Sequence, residues 1–333
     1  MAARQGAPVL GVLCERPKAG RPPTKTRFEL GFGYRYLPSF RHFIGTVEQT
    51  ERERLGTQIR NNVHIMDVSL AFNLNKRWTL NTSIPFIKAY RNQLYVPRGE
   101  FSFLSQGDAT FGARYWIFRP PTESRSNVGV GFALKVPTGR YNLTGKATDR
   151  NGLPIVATAD QSIQSGDGRI GYVVDINGYT PGPFETYLYL QSTYLFNPAN
   201  TNGVSTFRTR RGEGVFSVSD QYLVRGGVTR TFPKIRGFAW SFGGRMEGVP
   251  VRDAFGRSDG FRRPGYAISV DPGLLYGKRS WTFFINAPVA VERNRRKSVT
   301  DYQNNFHGDA AFADYSICSA FPSDSSSLPF GVR

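Results

Sequence analysis

Charged residues recur in this chain at positions where an extended strand would turn them all to one side. Glu29, Asp67, Arg114, Lys135, Arg169, Asp175, Arg225, Arg245, Glu247 and Asp271 mostly stand between apolar or aromatic neighbours, as Asp67 does between Met66 and Val68. Strand side chains alternate with a period of two, so these acids and bases would share one face and their apolar neighbours the other. A face that carries both signs can do the chemistry of a pore lining: it attracts and repels ions and sets a transverse field. Catalysis is poorly supported. Asp108 near Arg114 and Asp175 near Arg169 have the look of structural ion pairs, which perturb each other without transferring protons to a substrate. A lipid hydrolase needs Ser, His and a carboxylate or amide within hydrogen-bond reach. His64 and Ser69 fall on opposite parities, and a loop separates His307 from Ser298. His42, His64 and His307 show no metal-ligand spacing, and Cys14 and Cys318 lie near the two ends, so neither a metal nor a cofactor is expected.

The elements that must position these charges read as strands. Phe28, Leu30, Phe32, Tyr34 and Tyr36 share one parity against Glu29, Gly31, Gly33 and Arg35, and Met66, Val68, Leu70, Phe72 and Leu74 repeat the pattern against Asp67, Ser69 and Asn73. Comparable alternation continues through Trp78–Phe86, Ala109–Ile117, Val128–Val136, Ile170–Ile176 and Thr186–Leu190, and five more segments begin near Tyr222, Phe238, Tyr266, Trp281 and Gly308. Each is long enough for a tilted strand to cross hydrocarbon, which takes roughly 9–11 residues. The chain holds 36 Gly, 26 Phe and 16 Tyr, which suits β-structure with aromatic girdles and would weaken long helices.

Connections alternate between short and long. Short joints fall near Asn75–Arg77, Arg119–Ser126, Thr180–Phe184, Phe232–Arg236 and Gly277–Arg279; long polar ones near Pro38–Asn61, Arg91–Ser105, Pro137–Ser165, Asn197–Ser217, Val251–Arg263 and Asn294–Gly308. That rhythm predicts an all-β, transmembrane, antiparallel up-and-down β-barrel of about 12 strands in a bacterial outer membrane, with short periplasmic turns and long extracellular loops. A soluble β-sandwich explains the alternation but not the rhythm. The mean hydropathy of −0.37 is compatible with a membrane, since only alternate strand residues meet lipid. The expected organisation is an irregular segment over 1–25 with no clear leader peptide, a barrel over 26–317 and a Ser-rich tail over 318–333, and the 137–165 loop is the expected constriction.

Several stretches resemble a known family. Gln106-Gly-Asp-Ala-Thr-Phe-Gly-Ala-Arg-Tyr115, Phe132-Ala-Leu-Lys-Val-Pro-Thr-Gly139, Val270-Asp-Pro-Gly-Leu-Leu-Tyr276, Asn286-Ala-Pro-Val-Ala-Val-Glu-Arg-Asn-Arg295 and His307-Gly-Asp-Ala-Ala-Phe-Ala-Asp-Tyr315 look like the outer-membrane transporter family labelled for the MetA pathway of phenol degradation. The resemblance implies a porin-like, Gram-negative outer-membrane channel for passive passage of small solutes, hydrophobic or aromatic ones among them. An outer-membrane lipid hydrolase and a structural barrel without an open pore are the alternatives.

The net charge of +18 needs an address. Arg208, Arg210, Arg211, Arg262, Arg263, Arg295 and Arg296 cluster in long connections, where guanidinium groups would contact the phosphates of lipopolysaccharide bidentately and favour anionic solutes. Nucleic acid is not an expected partner, because such a site interleaves arginines with aromatics on one face and here the strand aromatics take the other parity. Outer-membrane lipid and a small-molecule solute are the expected partners.

Overall fold

The alternating strands close into a cylinder. The computed structural model describes residues 28–118, 125–278 and 281–323. The 1–25 segment with Cys14, most of the 119–126 turn and residues 324–333 of the tail lie outside the described residues. Twelve staves form the wall: β1 Phe28–Ile44, β2 Asn61–Asn73, β3 Trp78–Gln93, β4 Gly99–Gln106 with Ala109–Trp116, β5 Asn127–Val136 and β6 Gly171–Pro181. They continue as β7 Thr186–Phe196, β8 Gln221–Thr231, β9 Phe238–Val249, β10 Gly265–Val270 with Gly273–Lys278, β11 Trp281–Asn286 with Val289–Arg295, and β12 Ala310–Ala313 with Ile317–Ser323. Each pairs antiparallel with the next, and β12 returns to β1 in the register Leu30↔Ser323, Tyr36↔Ile317 and Phe43↔Ala310. Closure leaves no sheet edge, which is what a β-structure in lipid requires.

Parity decides what meets the bilayer. Phe32, Phe86, Phe111, Phe132, Leu190 and Phe242 are exposed on the outside, while Asp67, Arg114, Lys135, Asp175 and Arg225, one residue out of step, are buried inside. An apolar surface running round every stave is far larger than the few hundred Å² a soluble monomer leaves uncovered. Beside the short turns the outer rings pair, Phe28 with Phe72 at 4.7 Å, Trp78 with Tyr115 at 4.8 Å and Phe238 with Tyr276 at 4.9 Å, and this is the aromatic girdle of the periplasmic interface.

Four staves break at one place each, and the breaks aim side chains. Pro272 and Pro288 have no N–H for the ladder, so β10 and β11 are interrupted side by side, and β12 breaks next to them at 314–316. The break in β4 at 107–108 turns Asp108 towards the neck of the 137–170 loop, where it accepts from the Gly139 N–H at 2.9 Å and the Asp167 N–H at 3.1 Å.

Three expectations need correction. The connection sought over 91–105 is only residues 94–98, because β3 runs on to Gln93 and β4 starts at Gly99; Arg91 and Phe101 are buried wall residues. The last stave continues to Ser323 instead of ending at 317, which places Cys318 inside the wall, not in an irregular tail. Alternation puts Glu292 on the inward parity with Asp271, but a bulge opposite Ile268/Ser269 sets it out of step, so it lies outside and accepts from the Tyr266 hydroxyl at 2.8 Å.

The core is inside the barrel rather than between layers. Leu37, Val63, Ile65, Ile87 and Phe101 of the wall pack against Leu143, Ala157, Ala159 and Ile163 of the 137–170 loop. That loop carries a hairpin, Thr144–Thr148 with Pro154–Thr158, and a single 3-10 turn, Gln161–Ile163. It folds inward at the extracellular end and fills it.

Candidate functional site: the filled lumen

Below the loop, the interior is spanned by ion pairs. Arg35 of β1 reaches across to Glu247 of β9, its Nη2 donating to both carboxylate oxygens at 2.8 and 3.0 Å, and Arg245 donates to the same carboxylate at 2.7 Å. Arg225 of β8 pairs with Asp271 at 3.1 Å, and the Asn286 amide donates to that carboxylate at 3.1 Å. Asp271 stands at the β10 break, so Pro272 helps place it. Asp67 accepts from the Ser83 hydroxyl at 2.6 Å, and Glu29 accepts from Asn73 at 3.1 Å near the periplasmic rim. Lys135 pairs with Asp167 and lies 3.9 Å from Asp108.

Arg114 and Asp175 show why one position must be glycine. They stand on β4 and β6, both register with Gly131 of β5, and they form an ion pair across it. A Cβ on Gly131 would come within 1.7 Å of Asp175 Oδ2, so any side chain there occupies the space of the pair.

The lumenal charges are almost wholly covered. Lys135 and Asp271 are 0 % exposed, Arg225 1 % and Arg245 2 %, so neighbouring side chains cover each of them while the loop is in place. Nine of the ten expected lining residues face the interior. Arg169 is the exception: it precedes β6, is exposed, and its Nε donates to the Thr201 carbonyl at 3.2 Å. Arg35, which shares parity with Glu29, belongs to the interior set and was legible from that parity.

Among the fastenings of the inserted loop is the Asp160 carboxylate. Asp160 accepts from Arg263 at 2.9 and 2.6 Å and lies 3.5 Å from Arg91, while its Oδ1 also caps the 3-10 turn through the Ser162 N–H at 2.9 Å. Burial pushes this carboxyl up, but the Arg263 and Arg91 guanidinium groups outweigh it and hold Asp160 well below the usual carboxylate range. Arg91 further donates to Asn61 at 2.9 Å and Ser162 at 3.3 Å. A second fastening joins the 45–60 and 296–309 loops. There Asp309 meets His42 and Arg52, each at 2.8 Å, and these partners bring it to about 2 despite its burial.

These pairs revise the expected lipopolysaccharide surface. Arg262 is bonded to Asp253 at 2.7 Å, Arg263 to Asp160, and Arg295 to Asp301 at 2.8 Å, all three buried, so none is presented to the outer leaflet. Asp253 and Asp301 are close in sequence to their arginines and Asp160 comes from the inserted loop, and in each case the guanidinium group meets its carboxylate in a covered site. Arg210, Arg211 and Arg296 remain exposed, and Arg208 is half-buried with its guanidinium 3.8 Å above the Phe261 ring.

The geometry has counterparts among solved structures. An outer-membrane channel from Pseudomonas putida F1 superposes with a TM-score of 0.60 at 11% identity, covering 93% of this chain and 98% of that one. This is the fold of an outer-membrane β-barrel. The beta domain of the Bordetella autotransporter BrkA shares it at a TM-score of 0.50 and 11% identity, over 89% of this chain and 99% of that one. Two proteins with different names on one barrel show that the fold does not name the job, which has to be argued from the interior. No family model and no curated protein matches the chain in sequence.

Proposed function

We propose that this protein is an outer-membrane channel for passive passage of small solutes, shut by its own 137–170 loop. The observation that carries the reading is that the extracellular half of the lumen is filled by a loop fastened through side chains, not by the wall. The neck of that loop is narrow, with the Ser165 and Gly166 N–H groups donating to the Arg140 carbonyl at 3.1 and 2.8 Å. A segment so hinged can leave without disturbing the staves. Once it has left, Asp67, Arg114, Lys135, Asp175, Arg225, Arg245, Glu247 and Asp271 would line a route of mixed sign, with Glu29 at its periplasmic end. A twelve-stranded barrel is intermediate in bore between side-chain-filled and water-filled kinds, which suits small solutes.

The sharing of the fold with a channel supports this reading, and the motifs that resemble the MetA-pathway family add hydrophobic or aromatic cargo as its finer form. Exposed Arg210, Arg211 and Arg296 at the extracellular rim are proposed contacts for lipopolysaccharide phosphates. Passage is proposed in place of lipid hydrolysis. His42 spends one ring nitrogen on Asp309 and the other on the Ile59 N–H, and His64 is bonded to the Tyr34 hydroxyl at 2.8 Å, so both rings serve packing.

The test is to replace residues 141–164 with a short Gly-Ser turn spliced at the neck and to record in planar bilayers. The channel reading expects discrete conductance that the intact protein lacks. A folded, inserted and silent variant would favour a structural barrel.

A further inference from the structure

Above the plug, four loops enclose a vestibule of about 280 Å³ that opens outward. Its walls are mostly polar, with four aromatic side chains set among them. Tyr95 comes from the 94–98 connection, Phe207 and Phe216 from the 197–220 loop, and Phe261 from the loop before β10. Its charge is lopsided. Arg150, Arg208 and Arg210 line it with Asp160 and Glu213, and Arg91 and Arg263 stand behind Asp160. Five guanidinium groups therefore face two carboxylates. Asp160 is taken up by Arg263 and Arg91, and Glu213 reaches Arg208 only at 3.4 Å, a long contact for a charge-assisted bond.

Arg208 is the centre of the arrangement. Its guanidinium stacks on Phe261 at 3.8 Å, a ring that Arg263 approaches to within 4.6 Å, and this contact holds it in the lining of the cavity. Phe207 beside it stands in the left-handed region at φ 58°, a backbone conformation that bulky residues seldom take and that here leaves the ring 54 % exposed. The size is informative as well, since a cavity of about 150 Å³ already accommodates benzene.

We propose that this vestibule binds a one-ring aromatic carboxylate, the carboxylate on Arg208 with Arg210 or Arg150, and the ring among Tyr95, Phe207 and Phe216. The proposal rests on the channel reading and deepens it by naming the class of solute received at the mouth. Guanidinium groups favour a planar, bidentate anion, and the aromatic side chains favour a flat apolar body attached to it.

Benzoate, benzyl alcohol and acetate would be titrated calorimetrically into the detergent-solubilised full chain. Benzoate should bind saturably, with the uncharged ring and the ringless anion each weaker by about tenfold or more, the scale of one charge-assisted hydrogen bond. Arg208→Gln should cost benzoate a similar factor and leave benzyl alcohol unchanged. Arg150→Gln, at an exposed position on the rim, is the second variant should Arg208→Gln fail to fold, with a loss in the same direction. Equal binding of acetate and benzoate, equal binding of benzyl alcohol and benzoate, or no binding of benzoate would overturn the proposal. The loop-replaced barrel separates the two readings: if it conducts and the intact chain ignores benzoate, the site is wrong and the channel stands. Benzoate binding with a silent loop-replaced barrel gives the reverse.

Discussion

Asp160→Asn is the smallest change that should release the plug. The carboxylate sits between Arg263 and Arg91, with side-chain exposures of 9 %, 6 % and 2 %, so solvent screens these charges little. Asparagine keeps the shape and can still accept the Ser162 N–H, but it leaves two covered guanidinium groups without a counter-charge. Breaking a buried pair in this way costs about 3–5 kcal/mol. Because the open arrangement re-exposes both arginines to water, nearly all of that cost falls on the closed state. Each 1.36 kcal/mol is a factor of ten, so the closed-to-open ratio should fall by roughly two to three and a half orders of magnitude. Single-channel recording would show this as a rise in open probability. Arg263→Gln on its own should act in the same direction, and added to Asp160→Asn it should cost less than its separate effect, because the stranded charge is gone. An Asp160→Asn barrel that inserts, stays as closed as the parent and melts at the same temperature would refute the latch.

Other perturbations follow from the same contacts. Asp160 and Asp309 are held below the ordinary carboxylate value near 3.9, so the stability they contribute is complete above that value and is lost only as pH falls through their lower folded values. Conductance of the unmodified protein should therefore stay low from pH 7 down to about 4.5, and opening in that window would mean a different group holds the plug. Gly131→Ala should lower the midpoint of heat-modified gel migration sharply by displacing the Arg114–Asp175 pair, at a cost of about 3 kcal/mol or more. Gly178→Ala, whose Cβ would meet nothing closer than 3.8 Å, should change stability by less than about 0.5 kcal/mol. Phe132→Lys puts a charge on the outer surface and should cost about 2–4 kcal/mol near mid-bilayer, read as loss of the heat-modifiable band in detergent-folded samples; an unaffected fold would place that face in water.

Alternation in the sequence was enough for the wall, because each stave must separate lipid from lumen residue by residue. It was insufficient near the extracellular ends. There Val63 and Ile65 point inward while His64 and Met66 point outward, so apolar residues occupy both parities, and the reason is a loop from elsewhere in the chain packed inside. The same effect concealed Arg91, which reads as the start of a polar connection until Asp160 and Asn61 are seen beside it. Arg263 could not be told from a solvated loop arginine, since its partner Asp160 lies 103 residues earlier. Lumenal parity was legible for Asp67, Arg114, Lys135, Asp175, Arg225, Arg245, Glu247 and Asp271. That these charges would pair with one another depends on chords across the barrel, such as Arg35 to Glu247, which no local pattern encodes.

Reversible tethering of the plug tests the gate most directly. Arg98 beside β4 and Thr148 in the loop hairpin exchange both backbone hydrogen bonds, at 3.0 and 2.7 Å, a pairing that sets Cα atoms about 5.5 Å apart, within disulfide reach. With Arg98→Cys and Thr148→Cys introduced into the Asp160→Asn barrel, current should fall when the cross-link forms and return when a reductant cuts it. Current that persists unchanged through a cross-link verified on a gel would contradict the claim that this loop closes the lumen.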